Sequence, residues 1–268
     1  MAKFRRILLT GAAGRLGSEL RKTLPAIAEI VRISDRVEMK EVAAHEEAVV
    51  CELGDYDAIM ALTRDVDAIV HLGGIALEDK FEPILDANIR GGYHIYEGAR
   101  KNGVKRIVFA SSVHAIGYHA LETHIDADSP TRPDSLYGVS KVYMEGLSRL
   151  YWDKFGIESV CLRIFSSFPE PTDRRQLWSW LSFADMCHHV ERSLTAPRVG
   201  HTIAFAMSDN RHKPVDNSKA GHLGFAPKDN TEAYREAIEA KIPAADPRSP
   251  GVKFLGGWFC ELGHPDDQ

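Results

Sequence analysis

Short apolar runs alternate with longer amphipathic segments over the first 164 residues. Arg6-Ile-Leu-Leu-Thr10 is almost continuously apolar, as a parallel strand buried on both faces would be. Comparable runs lie at Glu29–Ser34, Ala48–Cys51, Ala68–His71, Lys105–Ala110 and Glu158–Ile164. Between them Ser18–Leu24, Asp55–Thr63, Glu82–Lys101 and Ser135–Phe155 read as helices, stopped at Pro25, capped by Asp55 and ended near Gly156 respectively for the first, second and last. Gly91-Gly92 inside the third implies tight packing. Strands alternating with helices predict an α/β chain with a doubly wound parallel sheet. Its ligand crevice would lie beyond the carboxyl ends of the strands.

The pattern changes after Ile164. Phe165–Trp180 reads as loop, Ser182–Thr195 as a capped helix, Gly200–Met207 as a strand, and Asn217–Leu223 and Thr231–Ala240 as helices. From Pro243 the chain is rich in Pro and Gly and no regular element is read. The expected organisation is residues 1–164 as the sheet domain and 165–268 as a smaller portion packed on it.

The first strand runs into Gly11-Ala-Ala-Gly14-Arg-Leu-Gly17, and a helix follows. In that context Gly11 permits the tight turn, Gly14 lets backbone approach a pyrophosphate, and Gly17 lets the helix sit against the strand. The helix N-terminus then offers free N–H groups to phosphate. This is a dinucleotide site on a Rossmann sheet. Asp35 ends the second strand about twenty residues on, where adenosine ribose hydroxyls would be bound. Its charge would repel a 2′-phosphate, so NAD is expected over NADP, although Arg36 beside it could attract that phosphate. Glu52-Leu53 follows the third strand, where the adenine would lie, and Leu72-Gly73-Gly74 permits close approach to the cofactor.

Tyr137-Gly-Val-Ser-Lys141 places a phenol and an ammonium one helical turn apart on the same face. An ammonium near a phenol favours the phenolate, and this is expected to lower the Tyr137 pKa toward that of a working base. Composition narrows the remaining classes. The 268 residues carry a net charge of −5 with no basic block, so no nucleic-acid partner is indicated. Four cysteines lie far apart, which rules out a zinc ribbon or disulfide framework and suits a reducing cytoplasm. The apolar run after Met-Ala-Lys-Phe-Arg-Arg is too short for a signal peptide or a membrane span, so no membrane partner is expected. His188-His189 has no third ligand at metal spacing, and no metal is assigned.

Taken in order, Thr10–Gly17, Asp35, Asn88, Ala110-Ser111-Ser112, Tyr137–Lys141 and the late Ser218-Lys-Ala…Leu223-Gly-Phe-x-Pro227 resemble the extended short-chain dehydrogenase/reductases. Within them, His71-Leu-Gly-Gly-Ile75, His114-x-Ile-Gly-Tyr118, Arg163-Ile164, Pro169-Glu-Pro171, Arg175 and Pro227-Lys-Asp-Asn230 are most similar to the uronate-oxidising branch. The resemblance implies NAD-dependent oxidation of glucuronate or galacturonate at C1 to an aldarolactone, by a homo-oligomer. It assigns Ser112, Tyr137 and Lys141 to catalysis. It assigns Gly11, Gly14, Arg15, Leu16, Gly17, Asp35, Arg36, Glu52, Leu53, Leu72, Gly73, Gly74, Asn88, Ser111, Tyr137, Lys141 and Ser167 to the cofactor. The substrate side comprises Ala76, Ser112, Val113, His114, Ser166 and Arg175, with Arg174 competing for the carboxylate. Val113 replaces an expected asparagine, Ala76 an expected serine, and Phe165 a smaller residue. The rival readings are a nucleotide-sugar 4-epimerase or dehydratase and a non-catalytic NAD-binding regulator of the same fold. The 127 residues after Lys141 show no second phosphate loop, and Val113-His114 stands where a dehydratase needs an acid pair.

Overall fold

The computed structural model describes residues 3–267. A seven-stranded parallel sheet runs in the order β3-β2-β1-β4-β5-β6-β9. Its strands are β1 Phe4–Thr10, β2 Ala28–Asp35, β3 Glu46–Val50, β4 Ala68–His71, β5 Arg106–Ser112, β6 Glu158–Ile164 and β9 His201–Ala206. A separate parallel pair, β7 (Ser166–Ser167) and β8 (Trp180–Leu181), lies beyond β6. The helices are α1 Arg15–Thr23, α2 Tyr56–Leu62, α3 Phe81–Ile84, α4 Gly91–Asn102, α5 Leu136–Phe155, α6 Gln176–Ser179, α7 Phe183–Thr195, α8 Glu232–Lys241 and α9 Pro250–Lys253.

Alternation along the strands divides the core between the two faces of the sheet. Ile7, Leu9, Val31, Ile33 and Val108 pack with Leu20 of α1 and with Met186, Val190 and Leu194 of α7. Leu8, Ile69, Ile107 and Phe109 pack on the other face with Ile59, Ile95, Tyr96, Met144 and Tyr151 of α2, α4 and α5. The paired glycines do mark close packing: a Cβ on Gly92 would stand 2.2 Å from Met144 Sδ. Order reverses between β1 and β4, and the carboxyl ends of these two strands open the crevice in which ligands bind in such sheets.

α1 begins at Arg15, three residues early, and Phe165–Trp180, expected as loop, holds β7 and α6; three further differences bear on the site. β3 starts at Glu46, two residues early, because its charged positions are paired: Glu46 with Arg21 and Glu47 with Arg6 and Arg32. A hydrophobic pattern does not register an edge strand of that kind. The helix expected over Glu82–Lys101 is broken by a π turn at Leu85–Arg90, a distortion that recurs at functional sites. The stretch from Pro243, in which no element was expected, forms α9 and a 3₁₀ turn at Gly257–Glu261. It is ordered by backbone bonds, Leu255 N–H to His119 O (3.0 Å) and Gly256 N–H to Gly117 O (2.9 Å), which seat it beside the end of β5.

Candidate active site

The glycine turn is shaped by missing side chains. Gly11 has φ +70°, and a Cβ there would meet Gly73 N at 2.8 Å; one on Gly17 would meet Gly11 O at 2.2 Å. Gly14 is the N-cap of α1 and supplies no capping side chain, and the first turn holds no acid. Its N–H groups therefore remain free for an anion. Asp35 is held at the end of β2, its Oδ2 accepting from Ala13 N–H (3.0 Å) and its Oδ1 from Arg36 N–H (2.8 Å). This carboxylate belongs to the glycine turn itself, while Arg36 projects into solvent. The turn, the uncapped helix and the fixed acid fit a dinucleotide with free ribose hydroxyls.

β5 and α5 bring the catalytic candidates together. Ser135 caps α5 by accepting from Gly138 N–H (2.9 Å), which begins the helix just before Tyr137. The Tyr137 phenol is buried, and desolvation pushes it up to about 12; the Ser112 hydroxyl bonded to it draws it back, and Asp134 pushes it further up. Lys141 is also buried, and desolvation brings it down to about 8, partly opposed by Glu145. Its Nζ donates to Ala110 O at 2.8 Å and lies 5.2 Å from the centre of the Tyr137 ring. The expectation that Lys141 lowers the phenol's pKa is therefore not met by the protein alone. Loss of water dominates at the phenol, while the ammonium donates a hydrogen bond to the β5 backbone.

Behind Lys141 stands a buried ion pair. Arg163 donates to Glu145 through Nε (3.0 Å) and an Nη (2.9 Å), and Ser111 Oγ donates to the same carboxylate at 2.6 Å. Glu145 lies one turn beyond Lys141, so this pair locks β5, α5 and β6 around Tyr137 and Lys141. Removing one partner leaves an uncompensated buried charge. Glu145→Ala is expected to cost about 3–5 kcal/mol of stability, read as a lowered urea midpoint.

His114 follows Ser112 in a 3₁₀ turn. Its Nδ1 lies 2.8 Å from Asp134 Oδ2, its ring stacks on Phe259 at 3.7 Å, and it meets the Tyr137 ring edge-on at 5.7 Å. Phe259 comes from the C-terminal stretch, which thus supplies one wall of the site. Arg175 is tied to that stretch: it donates to Ser166 Oγ (2.7 Å) and to Leu255 O (2.6 Å). Its guanidinium lies 5.3 Å from the centre of the Trp178 ring, its Nε has no partner, and burial lowers its pKa. A Cβ on Gly257, φ +66°, would stand 2.5 Å from that Nε, so glycine is required for the tail to pass. Arg174 is committed elsewhere, donating to Ile242 O and to Glu239 O (2.9 Å) at the end of α8.

Residues 7–197 match the model of the NAD dependent epimerase/dehydratase family. The chain belongs to the NAD-dependent epimerase/dehydratase family. It is 50% identical over 262 residues to the uronate dehydrogenase of Pseudomonas putida, covering 97% of each chain. It superposes with a TM-score of 0.97 on the crystal structure of glucuronic acid dehydrogenase from Chromohalobacter salexigens, at 46% identity, covering 98% of this chain and 99% of that one. A tyrosine-to-alanine mutant of uronate dehydrogenase from Agrobacterium tumefaciens, complexed with NAD, superposes with a TM-score of 0.94 at 44% identity, covering 97% of this chain and 98% of that one. NAD is thus the cofactor that this member of the epimerase/dehydratase family uses, and the glycine turn and Asp35 fit it.

Not every residue assigned from the sequence turns its side chain into this site. Ser111 and Ser112 alternate across β5, so Ser111 faces Glu145 while Ser112 faces Tyr137. Val113 is buried among Ile116, Phe165 and Phe205, in an apolar cluster beneath the end of β5. Phe165 sits in the same cluster. Asn88 accepts from Ile75 N–H (2.7 Å) and donates to Ile75 O (3.0 Å) and Ser140 Oγ (3.0 Å), so its amide braces the β4 loop. Ser167 Oγ donates to Leu181 O (3.1 Å) and joins β7 to β8. Leu53 and Gly73 close on each other, a Cβ on Gly73 falling 3.1 Å from Leu53 Cδ1, while Glu52, Gly74 and Ala76 are exposed at the rim. Arg15 packs on the Phe168 ring at 4.3 Å and Leu16 against the core of its face. Glu78, Asp134, Glu145 and Phe259 escape a reading of the sequence. Only Asp134, directly before a helix-capping serine, carries a local signal.

His189 is buried and stacks flat on Phe225 at 3.8 Å, with burial lowering it to about 3. No cluster of three metal-ligating side chains occurs among the described residues. None of their helices is long and apolar enough to cross a membrane.

Proposed function

We propose that this protein oxidises a uronic acid, glucuronate or galacturonate, at C1 to the aldarolactone with NAD. When bound, NAD accepts the hydride, and the positive charge of its oxidised ring favours the Tyr137 phenolate. Tyr137 takes the C1 hydroxyl proton, and Ser112, which faces the phenol, orients the same hydroxyl and steadies its developing charge. Lys141 keeps an ammonium beside the phenol and a donor toward the cofactor ribose. A pyranose C1 is a hemiacetal carbon, so oxidation there leaves the ring closed as a lactone.

The observation that carries the substrate class is Arg175. It is a buried guanidinium set by Ser166 and Leu255 against the same tail segment that stacks Phe259 on His114. A desolvated planar fork of this kind is suited to one carboxylate. In this reading residues 1–164 carry the cofactor and the base, and 165–268 supply the carboxylate side. NADH formation by the purified protein with NAD and either uronate tests it. Turnover of a nucleoside-diphosphate sugar with no NADH from either uronate would overturn it.

The reading extends to assembly. Val139, Tyr143, Gly146 and Leu150 recur at helical spacing along the outer face of α5, with Tyr93 of α4 near Tyr143; the four large side chains are 38–48% exposed. Such a ridge fits a second copy of the chain packed helix to helix. Sedimentation velocity should show a dimer or larger species, shifted toward monomer by Tyr143→Glu. The four buried, unpaired thiols are in keeping with a reducing cytoplasm.

A further inference from the structure

The loop after β4 is tied to the catalytic helix at two points. Asn88, from the π turn, grips the backbone of Ile75 on both sides and donates to Ser140 on α5. Three residues further along the loop, Glu78 turns its carboxylate onto the start of α5. Its Oε1 accepts from Leu136 N–H at 2.9 Å and its Oε2 from Tyr137 N–H at 2.8 Å. With Ser135 Oγ taking Gly138 N–H, each of the first three amides of this helix is bonded to a side chain. α1 differs at the same position: its N-terminus has no capping side chain and is left open for phosphate.

Glu78 and Tyr137 are 59 residues apart in sequence, and the contact has no counterpart in local helix capping. A serine N-cap with no help is enough to begin a helix. A second, charged group spanning the two amides adds a constraint on where the first turn sits. A carboxylate accepting two N–H groups at a helix N-terminus is a charge-assisted pair favoured by the helix dipole. It fixes the backbone of Tyr137 itself, directly beneath the side chain that takes the proton. The loop so fastened also carries Gly73, against whose backbone the Gly11 turn packs.

We propose that Glu78 is a positioning residue for Tyr137, a latch that makes the β4 loop and the catalytic turn of α5 a single unit. Glu78 acts through the Tyr137 backbone and does not touch the reacting atoms. The expectation for turnover rests on the oxidation proposed above; the latch also has a readout independent of it. Glu78→Ala frees both amides, and Glu78→Gln keeps one acceptor oxygen and loses the charge. A base displaced by a fraction of an ångström slows the chemical step while substrate binding persists. Glu78→Ala is therefore expected to lower kcat by about 10-fold or more, and Glu78→Gln by about 3-fold, each with uronate KM and NAD affinity within about 2-fold of the parent.

Amide hydrogen exchange on the NAD-free protein supplies the second readout. The amides of Leu136 and Tyr137 should lose protection in Glu78→Ala, while those of the remaining turns of α5 and the melting temperature stay close to the parent. If the parent itself produced no NADH from a uronate, the oxidation reading would fall and exchange would decide the latch alone. Unchanged protection at Leu136 and Tyr137 in both variants would refute the latch. So would parental kcat in Glu78→Ala, or a loss confined to KM.

Discussion

Tyr137→Phe should lose about 10²–10⁴-fold in kcat with the two uronates while binding NAD as the parent does. The ring stays, so its contacts with His114 and Phe259 and the packing around Ile84 persist. Only the proton acceptor is lost. The pH dependence should change with it. Burial holds the phenol at about 12, above the about 8 of Lys141, so as pH rises the protein alone loses the ammonium before the phenol ionises. A bound, positively charged cofactor ring favours the phenolate and is expected to bring the phenol down. In the parent, kcat/KM should therefore rise with pH along a limb belonging to the phenol in the presence of NAD. The small residual rate of Tyr137→Phe should lack this limb. Substantial turnover by Tyr137→Phe, with the limb intact, would move the base to another group.

The second large effect is at Arg175. Arg175→Leu should lower kcat/KM for glucuronate by about 10- to 100-fold, the worth of a lost charge-assisted hydrogen bond. Turnover of the corresponding neutral aldose should fall much less, and that contrast separates carboxylate binding from damage to the fold. Arg175 also ties Ser166 to Leu255, so some loss common to both sugars is expected from the loosened tail. Arg175→Lys retains the charge but not the planar fork, and should fall between Arg175→Leu and the parent. Equal losses on the acid and the neutral sugar would make Arg175 a structural residue alone. Arg174, anchored to the end of α8, should affect stability instead of acid selectivity.

What could be read from the chain followed from how local its cause was. The strands β1, β2, β4, β5 and β6 announce themselves because a doubly covered sheet demands near-continuous apolar runs. The glycine turn and the Tyr137–Lys141 spacing are legible because each depends on a few consecutive residues. The edge strand β3 was placed late because Glu46 and Glu47 are masked by arginines that approach from elsewhere in the chain. Long-range partners left no trace: the Arg163–Glu145 pair spans 18 residues, the Glu78–Tyr137 contact 59, and Arg175–Leu255 80. The resemblance places Ser111 on the cofactor side and Val113 on the substrate side. Strand alternation turns Ser111 to the opposite face, and the 3₁₀ turn that follows sends Val113 into the apolar cluster below. The Phe259 wall could not be anticipated, because Gly256-Gly257-Trp258 resembles loose tail until Gly117, His119 and Arg175 provide its anchors.

In the proposed reaction, hydride leaves C1 of a uronic acid for NAD while Tyr137 receives the hydroxyl proton. Glucuronate deuterated at C1 tests it most directly, with the reduced cofactor and the sugar product analysed by mass spectrometry after a short incubation. The deuterium should be recovered on the reduced cofactor, and the first sugar product should be an unlabelled aldarolactone. Deuterium retained in the sugar, or lost to water with no labelled cofactor, would contradict oxidation at C1.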